Sequence, residues 1–453
     1  MSSQTKSRRS WKKENNAVLD PATTSLICVG LLFLLLVIGA HIGVALGIAG
    51  VLGMYLTIGP DAAWAQLAMV PFATTNSFML ATIPLFILMG SFATQANLTT
   101  DLYRAAYTWL GRLPGGMAIA TTLASAAFGA ASGSTIVNAA VFTRMALPEM
   151  TRLGYDKLLS SGCIAASGTL AALIPPSILM VVYAIITEQS IGKIMLAGLV
   201  PGLLTALVFM GGIYVRVKLK PSLAPMPKET FTWGDRFKSL SGVWGICVLF
   251  ALVIGGIYAG LFTPTFAGAV GAFGALVIVV CKRRLTKQAA VEIVKDAGIN
   301  STTIFIIIIG GMLFARFLTY TGIVNDVTNY LISLELAPIT YLLCFIVVFL
   351  ILGMFIEAIA IMVMTMPVMY PVLIGVGYDP IWLGIISVKL AEISLCTPPV
   401  GLNVYVVRSA SPVPLSLENV FAGVTPFVVM DFLVLALLVA FPEIVTFLPN
   451  MMS

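Results

Sequence analysis

Charged side chains are scarce in this sequence. Only 10% of its 453 residues are Asp, Glu, Lys or Arg, whereas hydrophobic residues make up 59% and the mean hydropathy is +1.03. Soluble domains carry about a quarter charged residues, so this shortage excludes a soluble globular protein. The apolar runs are long enough to cross a bilayer as helices, and they predict an all-α polytopic membrane protein.

Reactive groups are also few. There is one histidine, and the six cysteines are scattered without a C-x-x-C pair, so we interpret them as small buried apolar residues. The sequence contains neither G-x-x-x-x-G-K-[ST] nor H-E-x-x-H, the signatures of a phosphate-binding loop and a zinc protease. An enzyme or a channel is therefore disfavoured. The net charge of +6 comes from a tail and two loops, which indicates membrane sidedness and no nucleic-acid partner.

Two helices are predicted to be broken in the middle. The apolar stretch 157–187 is interrupted by Gly168-Thr169 and Pro175-Pro176, and Pro398-Pro399 interrupts 380–408 at an offset of 398 − 175 = 223 residues. A break leaves backbone groups without partners, which hydrocarbon does not tolerate unless the break lines a polar cavity. In transporters such breaks mark the substrate or ion site.

Two re-entrant hairpins are predicted beside these breaks. In 115–150 and in 338–375, short apolar arms flank the tips Gly129–Thr135 and Gly353–Ala358. Arms of about 12–15 residues are too short to cross ~30 Å of hydrocarbon, so each tip is expected near the membrane midplane.

The second half of the chain repeats the first. Gly154-Tyr155-Asp156 recurs as Gly377-Tyr378-Asp379, and the same offset aligns Ser134 with Glu357. Each half holds five crossings and one hairpin, and an odd number of crossings inverts the second repeat relative to the first. The predicted divisions are a polar basic tail 1–21, a first repeat 22–220, a basic cytoplasmic linker 221–241 and a second repeat 242–453.

The spans and loops follow from the apolar runs. Full crossings are expected near 24–40, 42–59, 76–97, 194–215, 242–260, 264–281, 301–320 and 418–447. Basic loops at 216–240 and around 282–287 are expected in the cytoplasm. Five crossings before the cytoplasmic loop 216–240 place the N-terminal tail on the side of the membrane opposite the cytoplasm, despite its five basic residues. The tail would be cytoplasmic if 61–75 formed one further crossing.

The hairpin tips and breaks form the predicted site. Half-helices that begin after 132–135 and after Pro176 point their positive ends at the midplane, which suits a carboxylate. The predicted substrate-binding residues are Ser132, Gly133, Asn138, Pro175, Pro176, Glu357 and Asn403. Oxygens at Ser134, Thr135, Thr169, Thr397 and Pro398 suit Na⁺, although a proton, or no coupling ion, would leave a similar set. The small residues can also simply allow close packing, and the two asparagines can simply satisfy backbone groups.

Glu357 has the strongest claim to a function. A carboxylate at the midplane costs about 2.5–3.5 kcal/mol on insertion scales, so it is seldom kept without a role.

The motifs ASGTLAALIPPSILMVVYAIITEQSIGKIMLAGLVPGLL, TPPVGLNVYVV, FGAASGST and GMFIEAIA resemble the large membrane subunit of tripartite ATP-independent periplasmic (TRAP) transporters, the DctM family. The resemblance implies a Na⁺-driven importer with an elevator mechanism in the bacterial inner membrane. It also implies a periplasmic substrate-binding protein (DctP-like), a small four-helix membrane subunit (DctQ-like) and an organic anion as substrate. A sodium/dicarboxylate symporter that needs no binding protein is the alternative.

Overall fold

The computed structural model describes residues 20–226 and 231–451, so the predicted tail lies outside it except for its last two residues. All regular structure in the described ranges is helical. Six helices are long and apolar enough to cross a membrane, or up to eight if each of two bent pairs forms one span. The all-α polytopic prediction is confirmed.

Ten helices make up the first half. They are α1 Pro21–Val37, α2 Ile42–Ile58, α3 Pro60–Thr75, α4 Thr82–Gln95, α5 Leu98–Leu110, α6 Gly116–Ser132, α7 Thr135–Arg152, α8 Lys157–Leu173, α9 Ile178–Ile186 and α10 Ile191–Leu219. Helices α6 and α7 form the first hairpin, and α8 and α9 are the broken helix, bent by 43°. Residues 61–75, for which the sequence did not decide whether they form a further crossing, lie in the separate helix α3.

The second half follows the linker helix α11 Trp233–Leu240. Its helices are α12 Trp244–Phe250, α13 Gly256–Tyr258, α14 Pro264–Cys281, α15 Lys287–Thr321, α16 Ile323–Ser333, α17 Pro338–Gly353, α18 Ala358–Gly375, α19 Pro380–Cys396, α20 Leu402–Ala410, α21 Leu417–Ala440 and α22 Glu443–Asn450. A π-helical turn, Ala251–Gly255, joins α12 to α13. Helices α17 and α18 occupy the range predicted for the second hairpin, and α19 and α20, on either side of Pro398-Pro399, form the second broken helix.

The structure differs from the prediction in four places. Gly168 and Thr169, predicted to interrupt the first broken helix, lie inside α8, which is continuous from Lys157 to Leu173, so the helix breaks only at the prolines. The segment after the second basic loop is helical from Lys287, so the span expected at 301–320 is the second part of a 35-residue helix. The hairpin arms are 16 to 18 residues long, longer than the 12–15 predicted. Three cysteines expected to be buried, Cys247, Cys281 and Cys344, are exposed.

The linker contains a short helix that packs on α5. The side chains of Thr232 and Asp235 cap its first turn, and the hydrogen bonds from Thr232 lower the pKa of the Asp235 carboxyl. The indole nitrogen of Trp109 donates to the backbone oxygen of Arg236 at 3.1 Å, and the ring of Phe237 packs edge-on against the Trp109 ring. The cap and these aromatic contacts explain why a segment predicted as a loop is ordered.

The chain divides into two compact units. One unit contains the described residues up to Leu80, with Ser301–Phe345 and Ile359–Tyr378. Glycines bring α2 and α15 together within this unit, because a Cβ at Gly43 would lie 2.6 Å from the backbone of Ile306.

The other unit contains Ala81–Asn300, Ile346–Ala358 and the described residues from Asp379 onward. It holds the whole first hairpin and both broken helices. This grouping places the predicted sites of the first hairpin and of the two breaks in a single compact body.

The repeated Gly-Tyr-Asp motif sets where both broken helices begin. Gly154 and Gly377 have φ values of +78° and +97°, a region that favours glycine. Asp156 accepts a hydrogen bond from the backbone N–H of Leu159 at 2.9 Å, and Asp379 accepts one from Trp382 at 2.7 Å. Each motif is therefore a turn followed by a helix N-cap.

Candidate functional site

Helices α6 and α8 run side by side in the same direction. Ser125 Oγ donates to the backbone oxygen of Ser167 at 2.8 Å, and a Cβ at Gly129 would lie 2.9 Å from the Cα of Ala171. The contact moves four residues toward the carboxyl end on both helices, from Ser125 and Ser167 to Gly129 and Ala171, which shows that the helices are parallel. The carboxyl ends of α6 and α8 therefore lie close to each other.

Gly133 joins the hairpin tip to the first break. It has a φ of +59°, and a Cβ there would lie 2.8 Å from the carbonyl oxygen of Pro176. Only glycine fits this approach without strain. The contact brings four helix ends together, the carboxyl ends of α6 and α8 and the amino ends of α7 and α9. We refer to residues 132–135 and 174–177 together as the helix-end site.

The two amino ends at this site have the same uncharged cap. Ser134 Oγ accepts from the backbone N–H of Val137, and Ser177 Oγ accepts from that of Met180, both at 3.4 Å. A helix amino end leaves further N–H groups without intrahelical partners and carries about half a positive charge. With no acidic side chain in either cap, both ends can attract an anion.

The two carboxyl ends supply oxygen atoms. The final carbonyls of a helix lack intrahelical partners, and they carry the negative end of the helix dipole. Ser132 is 5% exposed and its Oγ has no hydrogen-bond partner, so it adds a hydroxyl oxygen at the end of α6. Hard oxygen donors of this kind suit an alkali-metal cation.

Other predicted residues hold the scaffold of the first repeat. Asn138 is fully buried, and its amide donates to the backbone oxygen of Ser125 and accepts from Ser125 Oγ, so it clasps the two hairpin arms together. Thr169 is also fully buried, and its hydroxyl donates within α8 to Ala166. Pro175 and Pro176 are buried in the break, while Thr135 is half-buried at the start of α7.

The second break is more open than the first. Thr397 donates to the backbone oxygen of Ile393 at 2.6 Å, and Pro398 is exposed. Asn403 is fully buried and donates to the backbone oxygen of Ala165 at 3.3 Å, which ties α20 to α8. Its Oδ1 has no hydrogen-bond partner. Asn403 thus connects the second broken helix to the first, and the hydroxyl of Tyr183 on α9 does so too by donating to the backbone oxygen of Pro380 at 2.6 Å.

Glu357 directly precedes α18 at the tip of the second hairpin and is half-buried. This is the place that Ser134 holds before α7 in the first hairpin. A negative charge is favourable at a helix amino end, so this hairpin tip combines a carboxylate with a helix dipole, whereas the first has only a hydroxyl.

Sequence reasoning overlooked three buried charged residues, Lys389 and Glu392 in α19 and Asp431 in α21. Charges inside apolar runs were the available signal, the same one that singled out Glu357. Among the described residues, no other Asp, Glu, Lys or Arg is buried to this degree. Within those same residues, no group of three His, Cys, Asp or Glu side chains could hold a metal ion.

Residues 29–444 match the family described as "Tripartite ATP-independent periplasmic transporter, DctM component". The chain is 37% identical to the C4-dicarboxylate TRAP transporter large permease protein DctM of Pseudomonas aeruginosa. The alignment covers 90% of this chain and 94% of that protein. It is 30% identical to the sialic acid TRAP transporter large permease protein SiaM of Vibrio cholerae, and that alignment covers 83% of this chain and 87% of SiaM.

The fold is similar to that of the YdaH transporter of Alcanivorax borkumensis. The TM-score is 0.59 at 14% identity, with 93% of this chain and 99% of that chain covered. At that identity the likeness concerns the fold alone.

Proposed function

Because this chain belongs to the DctM family, the large membrane component of the TRAP transporters, we propose that it imports an organic acid driven by Na⁺. The family places the chain in the bacterial inner membrane as a multi-pass permease. The observation that carries the proposal is the helix-end site, where two helix amino ends and two helix carboxyl ends lie together.

The amino ends of α7 and α9 bind the carboxylate of the substrate in this proposal. Their caps are the neutral side chains Ser134 and Ser177, so no protein carboxylate competes with the substrate. A small carboxylate can accept N–H groups from both ends at once, which adds specificity as well as affinity.

The carboxyl ends of α6 and α8 hold Na⁺ in this proposal. Their terminal carbonyls and the unpaired hydroxyl of Ser132 supply the oxygens, with Ser134, Thr135 and Thr169 near the same helix ends. A bound cation beside the amino ends strengthens anion binding, and by linkage the anion strengthens cation binding equally. Coupled uptake follows from that reciprocity.

Transport proceeds by an elevator movement in this proposal. Supporting it, Asn138 clasps the first hairpin, Ser125 ties the hairpin to α8, and Asn403 ties α20 to α8. Elements joined in this way can carry the site as one body.

The partners follow from the tripartite family. We propose a periplasmic substrate-binding protein that delivers the substrate and a small membrane subunit that completes the permease. Named relatives transport C4-dicarboxylates and sialic acid, so a carboxylate-bearing metabolite is the proposed substrate, with a C4-dicarboxylate the first to test.

Uptake into proteoliposomes tests this function. The vesicles contain the chain and its small subunit, and receive a candidate binding protein loaded with radiolabelled C4-dicarboxylate under an inward Na⁺ gradient, an inward H⁺ gradient or neither. We expect uptake only with both Na⁺ and the binding protein. Equal uptake without the binding protein would favour the direct symporter, and uptake driven by H⁺ alone would overturn the Na⁺ assignment.

A further inference from the structure

Three charged side chains meet in the interior of the unit that holds the broken helices. Lys389 and Glu392 lie one turn apart on α19, and Asp431 lies on α21. Their side chains are at most 1% exposed. We refer to these three residues as the buried triad.

The ammonium group of Lys389 is at the centre of the buried triad. Its Nζ lies 2.5 Å from Asp431 Oδ1, 3.0 Å from Glu392 Oε2 and 3.2 Å from the hydroxyl oxygen of Thr205 on α10. These three contacts use all three donors of an ammonium group. The lysine therefore joins three helices and has no donor left for the remaining carboxyl oxygens.

The charges of the buried triad do not balance if every group is ionised. Two carboxylates and one ammonium leave one uncompensated negative charge, which is costly in an interior without water. Each carboxyl also has one oxygen without a hydrogen-bond partner, Glu392 Oε1 and Asp431 Oδ2. The other titratable group near the triad is the Cys396 thiol, which adds no positive charge. One bound proton would make the cluster neutral.

The distances indicate which carboxyl takes that proton. Hydrogen bonds between ionised partners are shorter than those to neutral oxygens. Asp431 is the closer partner of the ammonium, at 2.5 Å against 3.0 Å for Glu392. The shorter contact favours Asp431 as the ionised partner, which leaves the neutral carboxyl to Glu392.

We propose that Glu392 is a proton-binding site inside the permease, separate from the helix-end site. The proton sits on the carboxyl of Glu392 and leaves Lys389 and Asp431 as a balanced ion pair that fixes α19 to α21. Loss of the proton at high pH restores the uncompensated charge and weakens that attachment.

The first repeat has no such site. At the offset of 223 residues, Ala166 stands where Lys389 is and Thr169 where Glu392 is, and at 225, the offset of the last span, Ala206 stands where Asp431 is. Only the second repeat therefore has these charges, and a helix can break at a pair of prolines without them.

The direction of the pH effect follows from linkage. A solvated glutamate has a pKa of about 4.3 and is ionised in the unfolded chain at neutral pH. The folded protein then holds one proton more than the unfolded chain, so its stability falls as the pH rises and the proton is lost. The midpoint temperature of unfolding should decrease from neutral to alkaline pH.

Infrared spectroscopy of the full chain in lipid nanodiscs tests the proposal without any substitution. Protein with ¹³C in the side-chain carboxyl of glutamate is compared at neutral pH with protein labelled in aspartate. We expect a protonated-carboxyl band that shifts with the glutamate label and is lost at alkaline pH. The absence of that band, or a band that shifts only with the aspartate label, would overturn the proposal.

Three variants assign the band to a residue. Glu392→Gln supplies a neutral side chain of the same shape, so the band should vanish and the unfolding midpoint should lose its alkaline decrease. Glu357→Gln and Glu418→Gln, an exposed residue at the start of α21, should leave both properties as they are. A band that persists in Glu392→Gln and vanishes in Glu357→Gln would contradict the proposal. If Glu392→Gln does not fold, the labelled spectra of the unaltered chain and Glu357→Gln still decide.

Discussion

The two broken helices have similar backbones and different interiors. Both begin at a Gly-Tyr-Asp turn, extend for 17 residues and break at a pair of prolines. The first break is buried and uncharged, and Ser177 caps its second half-helix. The second is partly exposed, its second half-helix has no side-chain cap, and its first half-helix carries Lys389 and Glu392.

This difference separates two tasks that a broken helix can perform. Helix ends without charged caps, and the unpaired hydroxyl of Ser132 beside them, make the first break suitable for binding small ions. In the second, the charges of the polypeptide itself neutralise each other and attach the helix to its neighbours. A repeated backbone therefore does not imply a repeated chemistry.

The largest expected effect comes from removing the charge at the centre of the buried triad. Lys389→Ala leaves two buried carboxyls without their cation, and breaking a buried pair costs about 3–5 kcal/mol. The control is Lys193→Ala, an exposed lysine on α10 that should change little. Chemical denaturation of the purified chain measures both.

A triple variant then sharpens the comparison. Lys389→Ala with Glu392→Thr and Asp431→Ala gives α19 and α21 the residues found at the aligned positions of the first repeat, Ala166, Thr169 and Ala206. Because no charge is left buried without a partner, the triple variant should recover part of the stability that Lys389→Ala loses. A triple variant less stable than Lys389→Ala would show that the cluster does not act through charge balance.

A smaller effect is expected at the glycines of the two breaks. Gly133→Ala places a Cβ 2.8 Å from a backbone oxygen at positive φ, and strain of this kind costs about 1–3 kcal/mol. At Gly401, also at positive φ, the nearest atom belongs to the ring of Phe421, a side chain that can move. Uptake should therefore fall more in Gly133→Ala than in Gly401→Ala.

The control for both substitutions is Gly211→Ala, because a Cβ there meets no atom within 4 Å. Equal loss of uptake in Gly133→Ala and Gly401→Ala would remove the distinction between the two breaks.

The smallest effect concerns the helix cap. Ser177→Ala removes the side-chain acceptor at the start of α9, which costs about 0.5–2 kcal/mol. Val400 aligns with Ser177 at the offset of 223 residues, but it lies one residue before Gly401, the N-cap of α20, and carries no capping oxygen, so Val400→Ala should cost less. The unfolding midpoints of the two variants compare them directly, and a larger loss in Val400→Ala would contradict the capping account.

The backbone of both breaks could be predicted from sequence because glycine, proline and the 223-residue repeat report backbone conformation locally. The repeat predicted each hairpin tip beside a broken helix, and in the structure a Cβ at Gly133 would lie 2.8 Å from the carbonyl oxygen of Pro176. That these residues bind substrate stays a prediction. The alternative that Asn138 satisfies a backbone group is what the structure shows, but its partner on the other arm, Ser125, could not be predicted because it depends on how α6 and α7 pack.

The buried triad was missed for a different reason. Lys389 and Glu392 are visible in the sequence as charges inside an apolar run. Their partner Asp431, however, is 42 residues away from Lys389. A lone charge in a span indicates a site, whereas only the fold shows that it is neutralised by another helix. The linker helix was missed because its partner is still farther away in sequence, with a separation of 127 residues between Trp109 and Arg236.

The Na⁺ dependence of uptake by Ser132→Ala tests the role of the helix-end site most directly. The control is Ser161→Ala, a buried serine on α8 whose hydroxyl donates only within its own helix. We predict that uptake by the unaltered chain and by Ser161→Ala saturates at the same Na⁺ concentration, whereas Ser132→Ala requires more. Identical Na⁺ curves for all three proteins, or uptake that does not depend on Na⁺, would contradict this account.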